Sequence, residues 1–103
     1  MNVRRSYKHE SEFQSALIRE IKKRLPGSIV IKGDSGHIQG IPDLIIFWGD
    51  HWGALECKLT PSAPHQPNQD YYIARMDGMS FARFVDPVNK EEVLNAMEQA
   101  LRA

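Results

Sequence analysis

The chain has 103 residues, 13 basic and 13 acidic, and 42% are hydrophobic, an ordinary composition for one soluble domain with a single core. No apolar run approaches a membrane span and the charged start does not resemble a secretion signal, so a cytoplasmic protein is expected. A lone Cys57 excludes an internal disulfide and a multi-cysteine zinc site, fits a reducing compartment, and reads as a small apolar core residue.

The net charge of zero hides an asymmetry. Residues 1–32 carry eight basic side chains, Arg4, Arg5, Lys8, Arg19, Lys22, Lys23, Arg24 and Lys32, against Glu10, Glu12 and Glu20, so the remainder is correspondingly acidic. Such a division suggests a basic face for phosphates, with acids gathered elsewhere, some of them around a metal. For Lys22–Arg24 the alternative is a partnership with the C-terminal end of the helix dipole.

Phe13, Leu17, Ile21 and Leu25 recur every four residues, predicting a first helix over about Lys8 to Leu25 that Pro26-Gly27 stops. Glu10 falls on the apolar stripe and Glu12 on the opposite side, so Glu10 points toward the sheet as a dipole partner or as a third carboxylate of a site. Ser28–Lys32 is a short strand. The polar loop Gly33–Gly40 follows, holding His37, which is either a phosphate contact or a bystander.

Gly40-Ile41-Pro42-Asp43 then leads into Leu44–Trp48, a nearly continuous apolar run expected to be buried on both faces. A turn at Gly49-Asp50-His51 returns the chain through Gly53 to Lys58. This hairpin sets Asp43 opposite the end of the return strand, with Glu56 and Lys58 sharing a face and Cys57 pointing away. Two carboxylates and a lysine thus converge, a hard-oxygen set suited to Mg²⁺ or Mn²⁺ with a lysine able to orient a water toward phosphate. The plain alternative is an Asp serving as a turn residue and a solvated Glu–Lys pair on an edge strand. An acid at the mouth of a buried strand is costly without a role, which favours the site.

Leu59–Pro67, with three prolines, reads as a loop beside that site. A second helix is expected over about Asn68–Met76, with Tyr72, Ile73 and Met76 inward and Asp77-Gly78 closing it. Ser80–Val85 is a fourth strand, and Asn89-x-x-Glu92 is a capping box opening a last helix with Val93, Leu94, Met97 and Leu101. The order αβββαβα predicts an α/β domain over residues 1–103, a mixed four-stranded sheet flanked by helices with strand four parallel to strand three. Scattered His9, His37, His51 and His65 argue against zinc, and no Ser-His-Asp or Cys-His arrangement or Gly-rich phosphate loop is present.

Pro42-Asp43 and Glu56-Cys57-Lys58 resemble the two halves of the PD-(D/E)XK nuclease signature. With the Glu10 helix, the Gly-Ile-Pro-Asp entry and a glutamine seven residues before an apolar position of helix two, the whole chain is similar to a stand-alone VRR-NUC domain, a cousin of the archaeal Holliday junction resolvases. The resemblance implies a restriction-endonuclease-like core in a bacterial or phage-infected cell. It implies Asp43 and Glu56 as metal ligands, the Cys57 carbonyl as a further ligand, Glu10 completing the shell through water, and Lys58 at the attacking water or the phosphate. Gln69 would be the helix-two glutamine, with Gln66 the lesser candidate, and Ser35 the loop serine. The loop Gly33–Gly40 departs from the resolvase pattern.

The expectation is therefore a Mg²⁺- or Mn²⁺-dependent endonuclease that hydrolyses DNA phosphodiesters. Arg4, Arg5, Lys8, Lys32, Ser35 and His37 are its candidate DNA contacts. A domain this small reads backbone shape rather than sequence, so branched DNA is the expected substrate, and symmetric cutting of a four-way junction needs a homodimer. Trp48, Trp52, Tyr71, Tyr72 and Phe84 are candidates for that interface or for plain core packing. The alternatives are a flap, single-strand or non-specific nuclease, and a non-catalytic nucleic-acid-binding module.

Overall fold

The four-residue repeat of Phe13, Leu17 and Ile21 buries one stripe of α1 (Glu10–Arg24), while acids in its first turn and bases in its last match the helix dipole. The computed structural model describes residues 7–103, so Arg4 and Arg5 lie outside the described residues. The remaining elements are β1 (Ile29–Lys32), β2 (Leu44–Trp48), β3 (His51–Cys57), α2 (Gln69–Met79), β4 (Ala82–Val85) and α3 (Lys90–Arg102). They form one mixed sheet in the order β1-β2-β3-β4. β1–β2 and β2–β3 are antiparallel and β3–β4 is parallel, as the β-α-β crossover through α2 requires. Among the described residues no helix is long and apolar enough to cross a membrane.

Period-two alternation divides the sheet into two faces with different cover. Leu44, Ile46, Leu55, Cys57 and Val85 point to one side, where Phe13, Leu17 and Ile21 of α1 and Val93, Leu94, Met97 and Leu101 of α3 complete the main core. Arg24 fastens these two helices by reaching Asn95 at 2.7 Å and Glu91 at 2.8 Å, so this member of the basic trio is a structural clasp. The second face carries Ile45, Trp52, Ala54, Ala82 and Phe84, over which α2 lays Ile73 and Met76.

α2 covers only the β3–β4 half of that second face, which corrects the expectation that β2 is buried on both sides. Phe47 is 43% exposed, and its cross-strand partner Ile29 is 63% exposed. The long apolar run reflects β-propensity and one buried face; three helices do not suffice to cover both faces of four strands.

Two element ends also differ from expectation. α2 runs through Asp77-Gly78 to Met79, because the Asp77 carboxylate is turned to the Ala82 N–H and to Arg83 and stabilises the next turn instead of ending the helix. The capping box at α3 does not form. Asn89 donates its side-chain amide to the Phe84 carbonyl and accepts from the Asp86 N–H at 2.8 Å, leaving no side-chain cap for the helix.

Candidate functional site

Asp43, immediately before β2, is held by three local features. Pro42 is fully buried and confines Ile41 to extended conformations, the Gly33 N–H donates to the Asp43 carbonyl at 2.8 Å, and the Cys57 N–H donates to Asp43 Oδ2 at 3.0 Å. Gly33 is required here, since a Cβ at that position would lie 2.0 Å from the Pro42 oxygen. Leu44 pairs with Leu55, so continuing the antiparallel register sets Asp43 opposite Glu56. Glu10, in the first turn of α1, reaches the same spot: carboxylate oxygens of Glu10, Asp43 and Glu56 lie within 4.8 Å of one another. Glu10 is solvent-exposed, Asp43 half-buried and Glu56 only 2% exposed.

Burial comes first in raising the Glu56 carboxyl from its usual 4.5 to about 8. The Asp43 charge and its hydrogen bond add to this, Lys58 opposes it, and Glu10 adds a smaller upward push. Glu56 Oε2 accepts from Gln69 Nε2 at 3.0 Å, while its Oε1 is buried with no hydrogen-bond partner of the kind Gln69 gives Oε2 among the described residues. An orphaned buried carboxylate oxygen is expensive in a folded protein. Beside two further carboxylates it is the donor set of a hard divalent cation, so the residues present fit Mg²⁺ or Mn²⁺. Cys57 lies in the main core with its thiol pushed up, chiefly by burial and then by the Asp43 and Glu56 charges; it is an apolar filler, as expected.

Lys58 follows β3, 6% exposed, with its Nζ 4.0 Å from Glu56 Oε2. It donates to Gln69 Oε1 at 2.8 Å and to the Pro64 carbonyl at 3.1 Å. Gln69, the first residue of α2, therefore joins the lysine to the glutamate, and its Oε1 also accepts the Gln66 N–H at 2.8 Å. Gln66 thus takes part through its backbone and Gln69 through its side chain.

A cavity of about 470 Å³ opens over these groups, lined by Glu10, Asp43, Glu56, Lys58 and Gln69 together with Ser35 and Gln39 of the β1–β2 loop and Pro64 and Gln66 of the β3–α2 loop. Gly40 brings the two loops together: its φ is +91° and a Cβ there would lie 2.6 Å from the Asn68 backbone. Of the expected DNA contacts, Ser35 lines the cavity; Lys8, Lys32 and His37 are exposed and are not among its lining residues. The Pro64 carbonyl and the Gln66 amide escaped sequence reasoning because any residue carries those groups; only the proline density of the loop marked it. Compared with protein-family models, curated proteins and solved structures, the chain finds no match in any of the three, so the site is read from its own chemistry.

Proposed function

We propose that the protein is a Mg²⁺- or Mn²⁺-dependent DNA endonuclease that hydrolyses phosphodiesters in branched DNA, resolving four-way junctions as a homodimer. The observation that carries this proposal is the convergence of three carboxylates, one of them with an orphaned buried oxygen, on a lysine fixed at the wall of an open cavity. A binding module gains nothing from acids clustered where phosphate must approach, because they repel it.

Asp43, Glu56 and Glu10 would hold the cation, which supplies Lewis-acid polarisation of the phosphate and a water of lowered pKa. Every other part of the chemistry falls to side chains of the chain. The Asp43 carboxylate is aimed by the Cys57 N–H, so its position does not change as charge builds. Lys58 donates toward the non-bridging oxygens or orients the attacking water, and its hydrogen bonds to Gln69 and Pro64 remove the rotamer search that a free lysine would make. In-line attack of water on phosphorus forms one P–O bond and breaks that to the 3′ or 5′ oxygen; the water releases a proton to solvent, the leaving oxygen takes one up from solvent, and no covalent enzyme intermediate is needed. The homodimer reading is supported by the uncovered sheet face, where Ile29, Ile31 and Phe47 are exposed, rather than by Trp48, whose indole N–H is bonded to the Pro26 carbonyl.

The test is incubation with a labelled four-way junction, duplex, flap and single strand in Mg²⁺, Mn²⁺ or chelator. Paired metal-dependent nicks near the junction centre, lost in Asp43→Asn and Lys58→Ala with DNA binding retained, are expected. Full activity in either variant overturns the site assignment; cutting confined to flaps or single strands replaces the junction substrate, and binding that is indifferent to chelator replaces the enzyme with a binding module.

A further inference from the structure

Pro64 and Gln66 are hydrogen-bonded to the site through their backbones, the first accepting from Lys58 Nζ and the second donating to Gln69 Oε1. Their placement depends on the conformation of a loop with no regular structure between β3 and α2. The residue between them is His65, and its ring is fastened on two sides. It stacks on Phe84 of β4 with centroids 3.9 Å apart and planes 12° from parallel. Its Nδ1 stands 2.7 Å from Asp70 Oδ1 in the first turn of α2; a carboxylate only accepts, so Nδ1 carries the hydrogen.

We infer that His65 is a positioning residue: by bridging β4 and α2 it fixes the loop so that its two sequence neighbours hold Lys58 and Gln69 in working geometry. Only a planar ring with a polar edge can both stack on Phe84 and donate to Asp70. The Asp70 side chain is 76% exposed, and an ion pair or hydrogen bond at such a site adds little to global stability, so the Asp70 contact serves chiefly to orient the ring. What it does control is the carbonyl–Nζ and amide–Oε1 contacts one residue away on either side. A displacement of about 1 Å at such a group costs on the order of 100-fold in rate. The catalytic consequence rests on the nuclease reading; the structural claim does not.

The experiment uses the full chain. In the metal-free wild type, the Lys58 Nζ hydrogens, sheltered by two acceptors, give an NMR signal in slow exchange with water; in His65→Ala this signal is lost while circular dichroism and Mn²⁺ affinity are unchanged. On a labelled junction, kcat of His65→Ala falls about 10- to 100-fold with KM little changed. Asp70→Asn, which keeps an acceptor for Nδ1, retains the Lys58 signal and most of kcat. A Lys58 signal that survives in His65→Ala overturns the inference. If His65→Ala fails to fold, His65→Phe, which keeps the stack and loses the Asp70 contact, decides in its place by the same signal. A wild type that cuts no DNA overturns the nuclease reading, and the Lys58 signal still decides the role of His65.

Discussion

Glu56 makes the metal-free protein lose stability as pH rises. Its folded-state value of about 8 lies above the usual 4.5, so between these limits the folded chain keeps a proton that the unfolded chain has released. The contribution is fully present below about pH 4.5 and is lost progressively as pH climbs toward about 8. The slope is at most about 1.4 kcal/mol per pH unit, which bounds the total at about 5 kcal/mol over the window. Glu56→Gln keeps the shape and is neutral at every pH, so it should equal the wild type near pH 4.5 and exceed it by several kcal/mol near pH 8 in chelator. Saturating Mn²⁺ should narrow that gap, stabilising the wild type by about 2.7 kcal/mol at a hundredfold excess over Kd and leaving Glu56→Gln largely unmoved. Urea unfolding followed by tryptophan fluorescence across this range, with chelator or Mn²⁺, measures both effects. Parallel pH profiles for wild type and variant would refute the account of Glu56, since they would mean that its proton is held no differently in the folded and unfolded chains.

Gly40→Ala forces a Cβ to 2.6 Å from the Asn68 backbone at a φ of +91°, and should cost about 1–3 kcal/mol in urea unfolding while displacing Gln69 enough to lower any cleavage activity. An unchanged unfolding midpoint would show that the two loops do not meet as described. Ile31→Asp puts a charge on the uncovered sheet face at a residue 48% exposed, where the monomer's fold tolerates it. Light scattering should report a mass near twice 11.8 kDa for the wild type and the single-chain value for the variant; a monomeric wild type would remove the homodimer.

Much of this architecture was legible in the sequence because the signals were redundant. The stripe Phe13-Leu17-Ile21, the hairpin entry Ile41-Pro42-Asp43 and the alternation at Glu56-Cys57-Lys58 each rest on a period that sterics impose; together they predicted the meeting of Asp43 and Glu56, while for Glu10 they left a helix-dipole role and a place in the site both open. What failed were features decided by competition for one side chain. Asn89 has a capping sequence, yet its amide is taken by the Phe84 carbonyl and the Asp86 N–H instead of by the helix N–H groups. Asp77-Gly78 has a stop sequence, yet Asp77 has partners ahead of it in β4. The burial of β2 on both faces failed for a different reason: the count of helices, not the strand's own sequence, decides whether its second face is covered.

The same redundancy explains why the lysine can be placed and the loop that holds it could not. Lys58 lies one residue beyond a strand whose register is pinned by five β2–β3 pairs, so its direction follows from the pleat. Its acceptors are the Pro64 carbonyl on a loop that stacks the His65 ring on Phe84, and the Gln69 side chain at the start of α2, just after Asn68 in the αL conformation with φ 71°. Neither leaves a periodic trace. On the proposed reading the site divides into Asp43 and Glu56, placed by the sheet register, with Glu10 brought in by α1, and a lysine whose contacts run through the β3–α2 loop and the start of α2. Variants of the sheet residues should lose cation binding and activity together, whereas variants of His65 should keep the cation and lose rate, and that separation distinguishes the two halves of the site in a single pair of titrations.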